Sequence, residues 1–213
     1  MKKLFILIAL QLYFSLFQGI SGESMDWQQY IPQDNNGRIS YGDTHFGKES
    51  FPSLTIYGNA TLEGTTVNEK TAINGSVDAN KATFNQITVN GNFQGTEIKI
   101  KDGFFNGSVS FKNTKVSGNL KINGSLISYY SDFKGKIFID STEIVFSNSK
   151  INDIIIENAS TNFTKQTVHL KDKTVVKGSI IFKSGKGEVF VSGDSKLKEN
   201  QIKGGKIYLE FKE

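Results

Sequence analysis

One five-residue motif decides the fold of this chain, and its clearest copies are Ile73-Asn74-Gly75-Ser76-Val77, Val89-Asn90-Gly91-Asn92-Phe93, Phe105-Asn106-Gly107-Ser108-Val109 and Ile122-Asn123-Gly124-Ser125-Leu126. An earlier copy, Ile56-Tyr57-Gly58-Asn59-Ala60, has Tyr in place of Asn. The steps from Tyr57 through the four asparagines are 17, 16, 16 and 17 residues. A fixed period predicts stacked repeats, each of which covers the apolar face of its neighbour.

The residues around each copy alternate between apolar and polar. Near Asn90, the residues Ile87, Val89 and Phe93 share one parity, and Thr88 has the other. Alternation is the pattern of a strand with one buried face. Asn-Gly often closes a β-hairpin, but the constant interval favours a chain that turns a corner and returns one rung higher. We therefore predict an all-β, single-domain parallel β-helix (a β-solenoid) with rungs of about 16–18 residues.

The turn residues of the repeat are predicted to form a structural ladder, in which equivalent asparagines stack through their amides. The predicted ladder consists of Tyr57, Gly58, Asn74, Gly75, Asn90, Gly91, Asn106, Gly107, Asn123 and Gly124. A row of ligand-binding or glycan-binding asparagines is the alternative. The predicted inward-facing aromatic residues are Phe84, Phe93, Phe105, Phe111, Phe133, Phe146 and Phe182.

The repeat is expected to become irregular after Asn123, because Lys134-Gly135-Lys136-Ile137 follows it at less than one full period. The pattern returns at Val176-Lys177-Gly178-Ser179-Ile180. The predicted organisation is a signal peptide at 1–22, an N-terminal cap or leader at 23–52, and the β-solenoid domain with irregular C-terminal closing strands at 53–213. Trp27 and Tyr30 favour a cap over a flexible leader.

The first 22 residues have the three parts of a secretory signal. They are the pair Lys2-Lys3, an apolar stretch from Leu4 to Phe17, and small residues near position 21. The apolar stretch is shorter than the ~20 residues of a membrane-spanning helix. We therefore predict export to the periplasm, the cell surface or the medium, with no transmembrane segment after cleavage. The usage of Lys, Asn and Ile favours a bacterial host.

Composition excludes several functions. The chain has no cysteine, which excludes disulfides and thiol catalysis. Residues 165–213 contain 11 basic and 6 acidic residues, whereas 23–164 contain 12 and 15. The basic part is either a solvated face that protects a sheet edge or a contact with an anionic glycan, a membrane or a neighbouring copy. Arg38 is the sole arginine, so we expect no nucleic-acid recognition.

Residues that carry chemistry are few. His45 and His169 lie far apart, and we predict no catalytic residue, no metal and no cofactor. The alternative, a carbohydrate-active β-helix that binds or cleaves polysaccharide, requires a carboxylate pair. The candidate carboxylates are Asp132, Asp140, Glu143, Asp153 and Glu157. Tyr129 and Tyr130 break the alternation, so we expect one of the two rings to be exposed as a candidate partner-binding or sugar-binding platform.

The copies from Ile56 to Leu126, with the weaker copy at Val176 to Phe182, resemble the repeat of the bactofilins, a family of bacterial polymer-forming β-helical proteins. The resemblance implies a right-handed parallel β-helix that stacks end to end into filaments without a nucleotide. It assigns no functional residue, and bactofilins are typically cytoplasmic. We expect a non-enzymatic, exported structural or adhesive element of the cell envelope or surface, which self-associates or binds a cell-surface glycan.

Overall fold

A computed structural model describes residues 37–157 and 165–210. The predicted signal peptide, Trp27 and Tyr30 lie outside the described residues. The described chain forms 23 β-strands and a 3-10 turn at Glu199–Gln201. Its strands pair in parallel and make about ten turns of one coil. The predicted all-β, single-domain β-solenoid is therefore confirmed.

Each turn contributes to two sheets. The large sheet consists of β1 (Arg38–Tyr41), β3 (Ser50–Phe51), β4 (Leu54–Tyr57), β6 (Thr66–Asn74), β8 (Thr83–Asn90), β10 (Lys99–Asn106), β12 (Lys115–Val116), β13 (Leu120–Asn123), β15 (Asp132–Asp140), β17 (Lys150–Ile156), β19 (Val175–Val176), β20 (Ile180–Phe182) and β22 (Ile202–Lys203). The small sheet consists of β2 (Thr44–Phe46), β5 (Ala60–Glu63), β7 (Val77–Asn80), β9 (Phe93–Thr96), β11 (Val109–Lys112), β14 (Leu126–Tyr129), β16 (Glu143–Ser147), β18 (Thr167–Lys171), β21 (Gly187–Ser192) and β23 (Gly205–Glu210).

A typical turn changes direction at three places. The glycine corner leads from the large to the small sheet and contains the predicted Asn-Gly pairs. The bend divides the large-sheet segment of a turn into two arms, as at Gly118 between β12 and β13. The left-handed corner leads from the small sheet back to the large one. At this corner a φ of 51° to 62° is found at Lys81, Glu97, Asn113, Tyr130, Asn148 and Asp172.

The period stays regular for longer than the sequence indicates. Leu120 pairs with Ile137 and Ile137 with Ile154, and both intervals equal the period of the earlier copies. The expected irregularity after Asn123 is therefore placed too early, because the first long intervals are those from Glu143 to its partner Thr167 and from Ile154 to its partner Ile180.

Glycine marks two different places in the turn, and this explains the misplaced irregularity. Gly135 and Gly178 lie at the bend rather than at the glycine corner. A Cβ at Gly135 would overlap the carbonyl oxygen of Gly118, and one at Gly178 would overlap the Asp153 carboxylate. Close approach of the neighbouring turn thus requires glycine at these two positions of the bend, so the motifs around Gly135 and Gly178 are not copies of the glycine corner.

The coil begins before residue 53. β1 pairs with β4, and β2 pairs with β5, in the same ladders as the later turns. Residues 38–46 of the predicted cap segment therefore form a turn of the solenoid, and the predicted boundary at 53 lies inside the coil.

The core consists of stacked columns of inward-facing side chains. All seven predicted core phenylalanines are buried, with at most 3% of the residue exposed. Five of them form a chain of rings whose neighbouring centroids are 4.9–6.0 Å apart: Phe93, Phe105, Phe111, Phe133 and Phe146. Burial of each ring contributes about 1.5–3 kcal/mol, and each favourable ring pair adds about 0.5–1.5 kcal/mol.

A buried hydroxyl ladder holds the left-handed corners together. The Ser131 hydroxyl oxygen accepts the Thr114 N–H at 3.2 Å, and the Ser149 hydroxyl oxygen accepts the Ser131 N–H at 3.2 Å. The Thr174 hydroxyl oxygen accepts the Ser149 N–H at 3.3 Å. An unsatisfied buried N–H costs about 1–3 kcal/mol. These hydroxyl oxygens avoid that cost, because they accept backbone N–H groups that have no carbonyl partner in the sheet ladder at the corner.

Candidate interaction surfaces

The structure brings the predicted turn residues together at the glycine corner. Tyr57, Asn74, Asn90, Asn106 and Asn123 are in register on neighbouring strands. The N–H of the glycine that follows each of these residues donates to a carbonyl oxygen one turn later, at 3.0–3.1 Å. The acceptor is the residue in register with the one just before the donor glycine, as in the bond from Gly75 to Asn90. The glycines have φ of 145–155°, and a Cβ on any of them would overlap the backbone of the preceding turn. The sheet ladder thus continues around the corner only with glycine there.

Side chains add to this ladder at particular positions. The Asn90 Nδ2 donates to the Asn74 Oδ1 at 2.8 Å, and the Tyr57 ring stacks on the Tyr41 ring with their centroids 5.4 Å apart. The residue after the glycine also has a structural role, which the repeat did not predict. The Asn59 Oδ1 accepts the Ser76 N–H at 2.9 Å, and the same contact recurs from Asn92 to the next turn.

The glycine-corner column continues as a charged cluster in the later turns. Asp140 follows Asn123 in register, and Glu157 and Lys183 occupy the next two turns. The Lys183 Nζ lies 2.7 Å from the Glu157 Oε2. Burial raises the pKa of Asp140, and Glu157 raises it further, whereas Lys121 lowers it. Burial lowers the pKa of Lys121, although both carboxylates oppose this shift.

Of the five candidate carboxylates, the structure places Asp140 and Glu157 on adjacent turns of one column. Asp132 faces outward from the first arm of the large sheet, and Glu143 is exposed on the small sheet. Asp153 lies at the bend, where its Oδ1 accepts the Ser179 N–H at 2.8 Å. Asp153 therefore has a structural contact within the coil.

The two histidines lie far apart along one outward column of the small sheet, as the register of this sheet shows. His45 is exposed in the first turn. His169 stacks on Phe190 at 5.1 Å, and Phe190 stacks on Tyr208 at 5.2 Å. The ring faces between His169, Phe190 and Tyr208 cover one another, which does not suit a sugar-stacking platform. This aromatic column carried little signal in the sequence, because the step of 21 residues from His169 to Phe190 is longer than the period of the repeat.

Tyr129 and Tyr130 are both exposed, at 42% and 59%, where we expected one exposed ring. Tyr129 is the last residue of β14 and lies between Lys112 and Ser147 in register. Tyr130 follows at the left-handed corner with φ of 54°. The conformation of this corner directs the second ring outward as well.

Exposed apolar side chains lie at both ends of the described coil. Ile39 and Tyr41 lie in the first turn, with 40% and 64% exposed, and Tyr208 and Leu209 lie in the last, with 40% and 62%. Among the described strands, β1 and β2 pair on one side only, and so do β22 and β23. Within the described residues, each end therefore presents unpaired backbone groups next to exposed apolar side chains.

A trough runs along the first arm of the large sheet between two rows of outward side chains. The first row is Thr66, Thr83, Lys99, Lys115, Asp132 and Lys150. The second row includes Asn68, Asn85, Lys101, Ser117, Lys134 and, two turns further on, Lys177. We call this surface the lysine trough. This surface was not predicted from the sequence, although Lys99 and Lys115 are one period apart and Lys101 and Lys134 two periods apart.

The part of the chain that the structure describes contains no group of three or more side chains able to hold a metal ion. No helix in those residues has the length and hydropathy needed to cross a membrane. No protein-family model matches the chain, and neither the curated proteins nor the solved structures contain a match to it.

Proposed function

We propose that this protein is an exported, non-enzymatic structural element of the cell envelope or surface, whose copies stack end to end through their terminal turns. One observation carries the proposal: in the last described turn β23 has an open edge with Tyr208 and Leu209 exposed, and the columns of these two residues are those of His45 and Phe46 in the first turn. The predicted signal peptide supports export, and the resemblance to the bactofilins supports stacking.

The match between the ends follows from the register of the small sheet. Passing from β2 through successive strands to β23 places His45 in the column of Tyr208, and Phe46 in the column of Leu209. A second copy whose first turn lies on this last turn would place its His45 ring against Tyr208. The aromatic column of His169, Phe190 and Tyr208 would then continue across the junction.

The energetics of the junction favour association. Leu209 is 62% exposed, although its column is buried in earlier turns, as at Leu170 and Val191. Covering the exposed part of Leu209 contributes about 1–2 kcal/mol, and pairing the edge of β23 satisfies backbone groups that otherwise invite another strand. Because association costs at least several kcal/mol of translational and rotational freedom, the stacking should depend on protein concentration.

Sedimentation velocity of the mature chain, residues 23–213, tests the proposal. The wild type should form oligomers that grow with protein concentration. Assembly should be greatest at low salt, where attraction between the basic residues 165–213 of one copy and the acidic remainder of the next is least screened. Tyr208→Lys should shift the distribution towards monomer, because it places a charge in the junction. A wild type that stays monomeric at high concentration and low salt would overturn the proposal.

Ile127→Lys is the matched control. Ile127 lies in the same outward column and is also 40% exposed, but it is in the middle of the coil. The Ile127→Lys variant should therefore assemble and sediment like the wild type. Equal loss of assembly in both variants would contradict an end-to-end junction.

The neighbouring carboxylates Asp140 and Glu157 favour a second candidate function, cleavage of a polysaccharide. It ranks below the structural function because Lys183 already pairs with Glu157. Release of reducing ends from polygalacturonate by the wild type, lost in Glu157→Gln, would support cleavage. No release by the wild type would exclude it for this polymer.

A further inference from the structure

We propose that the lysine trough binds a linear anionic polysaccharide, laid along the axis of the solenoid. This inference goes beyond the structural function and rests on the charge and shape of the trough, not on end-to-end stacking.

The trough concentrates positive charge. Its two rows contain six exposed lysines and one aspartate, Asp132. The two ion pairs in the described residues involve Lys165 and Lys183, which lie elsewhere. Within the described structure, the trough lysines thus have no carboxylate partner at ion-pair distance and remain available to an anionic ligand.

The lysines repeat with the turns of the coil. Lys99 and Lys101 lie on β10, Lys115 on β12, Lys134 on β15 and Lys150 on β17. Because neighbouring strands are about 4.8 Å apart, at least one ammonium group recurs at about that interval over four turns. A linear polymer with regularly spaced negative charges can contact several of these groups at once.

This array has a cost in the absence of a ligand. Lys99 and Lys115 are direct partners in register, and like charges placed directly opposite each other destabilise a sheet. Asp132 offsets the repulsion only between Lys115 and Lys150. A bound polyanion would neutralise the positive charge of the whole row and so remove this repulsion.

The chemistry of the trough favours a polysaccharide over other anions. Lysine is a point charge without the planar fork that arginine offers to phosphate groups. The rows continue towards the N-terminus with Thr66, Asn68, Thr83 and Asn85, which can exchange hydrogen bonds with sugar hydroxyls. The two rows run along the axis of the coil, a direction that suits a single extended polymer chain.

The test is binding of polygalacturonate, which carries one carboxylate per sugar, to the full mature chain at low and at moderate salt. The trough variant replaces Lys99, Lys115, Lys134 and Lys150 with Gln. Its affinity at low salt should fall about tenfold or more, and the salt dependence should become shallower, because fewer counterions are exchanged. Neutral dextran should not bind.

The matched control removes the same net charge from other surfaces by replacing Lys81, Lys112, Lys171 and Lys186 with Gln. All four lysines are exposed and lie outside the trough. This variant should bind polygalacturonate within about twofold of the wild type. An equal loss in both variants would mean that net charge alone attracts the polymer, which would overturn the proposal.

Asp132→Asn tests the proposal through a gain of affinity, which a misfolded variant would not produce. Removal of the one trough carboxylate should raise the affinity by about two- to fivefold. An unchanged or lower affinity would overturn the proposal. Failure of the wild type to bind polygalacturonate would do so too, as would tighter binding of single-stranded DNA or of phosphatidylserine vesicles.

Discussion

At the scale of the residue, glycine is the side chain that the coil can least replace. Gly91 has φ of 151°, and its missing Cβ leaves room for the carbonyl oxygen of Gly75 in the preceding turn. The Asn-Gly pattern made these positions predictable, because few other residue pairs allow such a corner. The sequence did not distinguish the bend, at Gly118, Gly135 and Gly178, from the glycine corner, because glycine allows two turns to approach closely at both places.

Gly91→Ala should destabilise the protein by about 1–3 kcal/mol, since it combines a strained φ with a backbone overlap. Urea denaturation monitored by circular dichroism would measure the loss. Gly47→Ala is the control, because a Cβ there would have no atom within 4 Å. Equal stability of the two variants would show that the corner can widen to accept a side chain.

Asp140 takes the place of asparagine in the glycine-corner column, and burial followed by Glu157 raises its pKa above the ordinary 3.8. Above the raised pKa the carboxylate is ionised in both states, and the folded state is penalised; below 3.8 it is protonated in both, and the penalty disappears. Asp140→Asn should therefore stabilise the protein at pH 7 by about 0.5 kcal/mol, a small gain because solvent screens the half-exposed carboxylate. The gain should shrink as the pH falls towards 3.8.

Thermal unfolding of Asp140→Asn at pH 7 and pH 4 measures this effect. Asp78→Asn, at an exposed position of the small sheet, serves as the control. A gain that persists unchanged at pH 4 would mean that the carboxylate charge is not its cause.

At the scale of the element, each turn is held by its inward side chains and its corners, and these differ in how far the sequence reveals them. The buried phenylalanines were predictable from alternation. The left-handed corner was not, because Lys81, Glu97, Asn113 and Tyr130 share a positive φ but no side-chain chemistry. The feature that could have revealed this corner in the sequence is the small or apolar buried residue that follows the positive-φ position, such as Thr114.

Phe111→Ala should cost about 3–5 kcal/mol. The Phe111 side chain is fully buried and its ring contacts the rings of Phe93, Phe105 and Phe133. The denaturation midpoint in urea measures the cost. Phe138→Ala is the control, because Phe138 is half-buried on the outward face of β15 and should cost distinctly less. Equal losses would contradict the assignment of the ring column as the centre of the core.

At the scale of the whole molecule, the repeat predicted a parallel coil, but it could not predict which surfaces are open. The end-to-end match depends on the register of the ten small-sheet strands, which carries His45 into the column of Tyr208 over intervals that lengthen in the later turns. The lysine trough likewise becomes visible only when residues one and two periods apart are brought side by side.

The most direct test of the central claim is the axial repeat of assembled particles in electron cryomicroscopy. Ten turns spaced by about 4.8 Å give a coil about 48 Å long. We predict filaments one coil wide, whose subunits repeat at about that length and whose strand spacing continues across each junction. Single coils at every concentration, or copies joined side by side, would contradict end-to-end stacking.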